Sequence, residues 1–282
     1  MVIHSERVQK ALSLSNTQFK RLFGVKRATF SQMLEILQPA FEKLHARGGK
    51  PPTKLRVEDR LLVTLQYWRT YLTLEHLAYE YNTVKSRIHT VIVWVEDTLI
   101  REGTFRLPGK KMLTLGEQKP RAVAIDVTEH PIERPKKKQK KHYSGKKKRH
   151  TIKTQIVIDL DTLLILFIEQ AAGSVHDFTL YKSSTGSAVS SDVKIKTDSG
   201  YQGIAAFHAN SEVPFKKTKN KPLSPEEKAF NRQLARERIA IEHVNRQIKI
   251  FKIMSDRYRN RRRRHKLRMT LICAIRNCEL EG

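Results

Sequence analysis

The sequence predicts an α/β domain preceded by an all-α region, and three observations carry that expectation. Up to Leu99 the apolar residues recur at helical spacing. From Arg121 the period shortens to the alternation of a strand, in the run Arg121-Ala-Val-Ala-Ile-Asp126. Beyond Ser224 helical spacing returns and holds almost to the end. Strands followed by helices make a compact α/β unit, and 282 residues are enough to bury a core there and another in the helices ahead of it.

Residues 12–23 and 29–44 read as the opening helices, the second with Phe30, Met33, Leu37 and Phe41 along one stripe. Gly48-Gly-Lys-Pro-Pro52 then breaks the chain. Three short helices follow: 57–70 with Leu61, Leu65 and Trp68, 74–81 with Leu77 and Ala78, and 84–99 with Ile88, Val91, Val95 and Leu99. Tight turns at 71–73 and 82–83 give them the pattern of a helix-turn-helix at about 57–99. Lys85, Ser86, Arg87 and His89 open the third helix on its wetter face, suited to the major groove and phosphates of duplex DNA. A plain three-helix bundle shares this pattern. A loop around 106–111 ends this region, so the expected division is 1–112 and 120–282.

In the second region strands are expected at 122–127, 151–160 and 163–169, the last two forming a hairpin about Asp161-Thr162. A helix near 177–183 leads to a strand ending at Asp198. Helices at about 225–254 and 260–280 close the chain. Ser224 caps the first of them, with Pro225 in its first turn and Glu227 three residues on.

Lys and Arg total 55 against 28 Asp and Glu, a net charge of +27, which points to a polyanionic partner. Two basic runs stand out. One is Lys136-Lys-Lys-Gln-Lys-Lys141 with Lys146, Lys147, Lys148 and Arg149. It reads as a solvated mobile segment, as a phosphate-gripping loop or as a localisation-like cluster. The other, Arg257 to Arg264, falls at the turn between the closing helices and offers a second basic patch. Cys273 and Cys278 are spaced for neither a disulfide framework nor a zinc site. With no apolar stretch of leader or membrane-span length, the expectation is a cytoplasmic protein with reduced thiols and no membrane partner.

Asp126 and Asp198 each end a strand-like run, and Glu242 lies inside the long helix with Arg238 and Lys249 at offsets of four and seven. Taken singly, a strand-end aspartate caps a turn and Arg238–Glu242 is a surface ion pair. Taken together, carboxylates from separate elements are what a site needs to hold divalent metal against a phosphodiester. Glu227 and Glu237 are rival acids on the same helix, although Glu237 does not share the Lys249 face. Ser144, in Tyr143-Ser-Gly145, has no base beside it, which argues against a serine nucleophile.

These residues resemble, in order, the motifs of family-five insertion sequence transposases of the DDE endonuclease superfamily. The resemblance runs through Asp126-Val-Thr-Glu129, Tyr143-Ser-Gly-Lys146, Gly173-Ser-Val-His-Asp177, Thr197-Asp-Ser-Gly-Tyr-Gln-Gly203 and the Arg238, Glu242, Lys249 spacing. Ser199 departs from the basic residue that many relatives carry after the second aspartate. The resemblance implies a ribonuclease-H-like catalytic domain in which Asp126, Asp198 and Glu242 bind Mg²⁺, with Mn²⁺ able to substitute. It further implies binding of terminal inverted repeats by the amino-terminal helices, hydrolysis at the transposon ends and strand transfer into target DNA. A homodimer or higher oligomer on DNA, in a prokaryotic nucleoid, would follow. Lys85, Ser86, Arg87, His89, Lys146, Lys147, Lys148, Arg238 and Lys249 are the expected DNA contacts, with Glu129, His176 and Asp177 around the acids. Two other readings are a transposase-derived DNA-binding protein without cleavage and a ribonuclease-H-like nuclease acting on RNA or hybrids.

Overall fold

A computed structural model describes residues 5–46, 55–114, 119–184, 189–218 and 222–281. Two compact units emerge, one of Met1–Arg106, Ile248–Asp256 and Arg264–Gly282, the other of Leu107–Gln247 and Arg257–Arg263.

The first unit begins with α1 (Glu6–Ser13), α2 (Asn16–Phe23) and α3 (Arg27–His45). The single helix expected over 12–23 is divided because Ser15 caps α2 with a reciprocal Ser15–Gln18 box. The break at Gly48–Pro52 lies outside the described residues. Next come α4 (Val57–Thr70), α5 (Leu74–Glu80) and α6 (Lys85–Glu102). α4 stops where Tyr71 turns left-handed at φ 53°, and Thr73 caps α5 by accepting from the His76 amide at 3.1 Å. Leu61, Leu65, Trp68, Ile88, Val95 and Leu99 are buried, as the apolar stripes require.

The second unit is built on a mixed sheet. β1 (Ala122–Pro131) is followed by α7 (Gln139–His142), β2 (Tyr143–Ser144), β3 (Arg149–Asp159), β4 (Ile165–Ala172), α8 (Asp177–Ser184), β5 (Lys194–Lys196) and β6 (Ser211–Glu212). β3 lies antiparallel to β1 and β4, while β5 is parallel to β1 and β6 parallel to β5. This is the ribonuclease-H-like sheet expected above. Odd residues of β1, Val123 and Ile125, join a core with Phe167, Tyr181, Ile195 and Tyr201. Even residues face the other side. In the Lys136–Lys141 run, Lys136–Lys138 are exposed and outside any regular element, and the rest of the run is helical. It bends into α7, with the Arg134 guanidinium donating to Gln139 Oε1 at 2.9 Å.

The long helix α9 (Pro225–Lys249) follows, and its apolar stripe of Leu234, Ile241, Val244 and Ile248 is buried. It ends at Lys249 rather than 254, because the chain turns before α10 (Lys252–Ser255). The closing helix α11 (His265–Glu281) belongs to the first unit, against α3 and α6, so the expected division at 112 and 120 does not describe how the chain's end packs. The reason is non-local: buried Glu96 of α6 receives Arg264, just before α11, and Arg268 within it. Among the described residues no helix is long and apolar enough to cross a membrane.

Candidate active site

Parallel pairing brings the two aspartates together. Ala122, Val123 and Ala124 of β1 lie opposite Lys194, Ile195 and Lys196 of β5. Asp126 and Asp198 each lie two residues beyond the last of these pairs, close enough for the Asp198 charge to act on Asp126. Asp198 itself leaves the strand to cap a tight turn over Ser199–Tyr201. The Gly200 amide donates to Asp198 Oδ1 at 2.8 Å. A β-carbon on residue 200 would come within 2.9 Å of that oxygen, so glycine here leaves the carboxylate room.

The long helix approaches the same face. Asn245 donates to Asp126 Oδ2 at 2.9 Å, and the Arg238 guanidinium stands 4.0 Å from Asp126 Oδ1. One side chain of β1 is therefore held from two positions seven residues apart, two helical turns along one face. Glu237 is occupied by Lys196 and Gln233, and Glu227 closes the cap of α9 on the Ser224 amide. Both rival acids are thus engaged elsewhere. Glu242 lies about 40° further round α9 than Arg238, at ~100° per residue. It is exposed and forms no hydrogen bond or ion pair among the described residues. No three His, Cys, Asp or Glu side chains among the described residues enclose a metal position in this conformation.

The electrostatics of Asp126 record its company. Burial raises its pKa above the ordinary carboxylate value, Arg238 pulls it down, and Asp198 and Asp177 push it up again. The Tyr201 phenol, buried and with no hydrogen-bond partner for its hydroxyl among the described residues, is pushed well above its usual value by burial and by Asp177, Asp126 and Asp198. Asp177 opens α8 and accepts from Lys153 Nζ at 2.7 Å, which fixes it near Gly200. His176 beside it is exposed. Glu129 does not join the group: odd-numbered, it faces the opposite side of β1 and is taken by the Thr151 hydroxyl at 2.8 Å.

The donor set fits a divalent cation. Asp126, part-way along β1, and Asp198, just past β5, supply carboxylate oxygens, the donors a divalent cation takes, and such an ion would relieve the repulsion that raises the Asp126 pKa. In the metal-free protein the raised pKa has a sign that can be checked. Folding favours protonated Asp126, so its contribution to stability is present below the unfolded-state pKa and lost as pH rises through the raised folded value. Asp126→Asn is therefore expected to melt above wild type at neutral pH in chelator, with the gap closing in acid. A variant melting at or below wild type across that range contradicts this.

The remaining expected contacts are all at the surface. Lys85, Ser86, Arg87 and His89 are exposed on the first turns of α6, with Lys85 near Glu75 at 3.5 Å. Lys146, Lys147 and Lys148 are exposed at the β2–β3 turn, and the Ser144 hydroxyl accepts from the Lys147 amide at 3.1 Å, as a turn residue. Lys249 is exposed at the end of α9. Sequence reasoning missed Asn245. A neutral amide gives no charge signal, although its offset of seven from Arg238 would have shown it.

Residues 125–277 match the family described as DDE superfamily endonuclease, and residues 53–105 match the helix-turn-helix of DDE superfamily endonuclease. The chain is 45% identical over 274 residues to a protein of Microchaete diplosiphon named "Probable transposase for insertion sequence element IS702", covering 97% of this chain and 98% of that one. A protein of Streptomyces albus G, named as a transposase for insertion sequence element IS112, is 26% identical over 83% of this chain and 84% of its own length. No solved structure matches the chain.

Proposed function

The chain belongs to the DDE superfamily of endonucleases, among its insertion sequence transposases with a helix-turn-helix, and from that premise we propose how its residues divide the work. The amino-terminal helices bind the terminal inverted repeats of the element. The sheet and α9 carry the chemistry, and pairing two ends requires at least a dimer on DNA, in the prokaryotic cytoplasm.

The observation that carries this reading is the meeting of Asp126 and Asp198, with Arg238 and Asn245 holding the first of them. Asp126, Asp198 and Glu242 would hold Mg²⁺, or Mn²⁺ in its place; a bound ion supplies Lewis acidity toward a phosphate oxygen and a water of lowered pKa. Arg238 and Lys249 place positive charge beside the non-bridging oxygens. Asn245 keeps the Asp126 carboxylate turned toward its partner. Water attacks phosphorus at the transposon end, the P–O3′ bond breaks, and the freed 3′-hydroxyl then attacks a target phosphorus in line, displacing the target strand's own 3′-oxygen as a hydroxyl. No covalent protein–DNA link forms.

The test is purified protein with Mg²⁺, a duplex bearing the element's ends and a target plasmid. Nicked ends and joined products are expected. Specific binding without either product would instead favour a transposase-derived binding protein. On the recognition side, Arg87→Ala is expected to weaken end binding by on the order of tenfold or more, with no change in melting temperature. Unchanged affinity would remove α6 from the interface.

A further inference from the structure

Two basic segments from distant parts of the sequence form one groove in the second unit. Arg134, Lys136 and Lys137 make one wall, and Arg257, Arg261 and Arg262 the other, around a cavity of about 550 Å³. All six are exposed, and none forms an ion pair among the described residues. Glu133 is the acid on this lining.

The arginine wall is built to stay in place. Tyr258 is fully buried; its amide donates to the Pro131 carbonyl at 2.8 Å and its hydroxyl to the Arg263 carbonyl at 2.6 Å. Its own carbonyl accepts from the Glu133 amide at 3.3 Å, which ties the two walls together through the backbone. Arg261 and Arg262 hold left-handed backbone, φ 47° and 68°, a region that residues other than glycine seldom occupy. Arg262 also meets the His142 imidazole, whose pKa is lowered by burial and then by Arg262 itself. Six cations against the single acid Glu133 thus concentrate positive charge on a backbone tied across both walls, which is the footprint of a polyanion site.

Distance selects the polyanion. The groove begins where β1 ends, five residues beyond Asp126, or roughly 17 Å along the strand. At about 3.4 Å per base pair this is some five base pairs, half a helical turn of duplex. A duplex with one phosphate at Asp126 therefore has others within reach of the groove. The lining holds guanidinium and ammonium groups and no amide side chain, the chemistry of backbone positioning.

We propose that this groove grips the phosphodiester backbone of duplex DNA irrespective of sequence, a contact additional to those of the helix-turn-helix. The proposal rests on the functional reading above. Its test uses full-length protein carrying R257Q/R261Q/R262Q, and separately R134Q/K136Q/K137Q on the facing wall. Affinity for an end-bearing duplex and for a random duplex is measured by anisotropy across a salt series.

Each variant is expected to bind both duplexes more weakly. The slope of log affinity against log salt should become shallower by about two to three, at roughly 0.9 per phosphate lost. The preference for ends over random DNA should be unchanged, and the corresponding arginine-to-lysine variant should recover most of the loss. Slopes equal to wild type in both folded variants overturn the groove. So does a changed preference, which would mean base reading, or a loss confined to single strands or RNA. Wild type failing to bind duplex DNA at all would instead bring down the functional reading on which the groove depends.

Discussion

Asp126→Asn and Asp198→Asn each lower metal-dependent cleavage of a transposon-end duplex by about 10³-fold or more, with end binding close to wild type. The magnitude follows from what one ligand carboxylate does. Charge stabilisation by a bound ion is worth several kcal/mol of barrier, and about 4 kcal/mol corresponds to 10³ in rate. Asparagine keeps the shape and still accepts from Asn245, so the fold has no reason to change. It removes the negative charge on which ion binding depends. Glu242→Gln should fall in the same class, whereas Glu237→Gln, whose side chain is bound by Lys196, should leave cleavage within a few-fold of wild type. Cleavage and joining are read on gels with end-labelled duplex, and binding by anisotropy on the same preparations. Substantial nicking by Asp126→Asn, or equal losses from Glu237→Gln and Glu242→Gln, would sink the assignment of the three acids.

How much of this was legible in the chain depends on whether the signal was local. α4 matches its expected bounds because Leu61, Leu65 and Trp68 repeat at helical spacing and Tyr71 ends the run. The two aspartates were visible as the ends of strand-like runs, although β1 carries on past Asp126 to Pro131, and their adjacency belongs to the pairing of β1 with β5, which no local pattern encodes. The lysine run bends into α7 at Gln139, where Arg134 reaches the glutamine side chain, a contact that composition cannot express. The most hidden feature is Glu96. It lies in the apolar stripe of α6, one residue after Val95, and its partners come from the other end of the sequence.

Glu96→Gln is expected to destabilise the first unit by about 3–5 kcal/mol. The carboxylate is fully buried and accepts three side chains: Trp68 Nε1 at 3.0 Å, Arg268 Nε at 2.6 Å and Arg264 Nε at 2.5 Å. Arg264 keeps a second partner in Asp97 at 2.7 Å, but Arg268, itself buried, loses the charge that offsets its desolvation. The loss of that opposite charge from a buried cation, rather than the lost hydrogen bonds, sets the size of the effect. Against a typical domain stability of about 5–15 kcal/mol, the loss is a large share of the total. Replacing all three charges with apolar side chains of similar volume should cost less than the single change, because no buried charge is then left alone. Denaturant unfolding followed by tryptophan fluorescence measures both, and a Glu96→Gln loss below about 1 kcal/mol would refute the latch. The same residue separates two ways of losing DNA binding. α6 exposes its first turns and buries Glu96 further along, so Arg87→Ala should weaken binding at constant melting temperature, while Glu96→Gln should weaken it only as far as the unit unfolds.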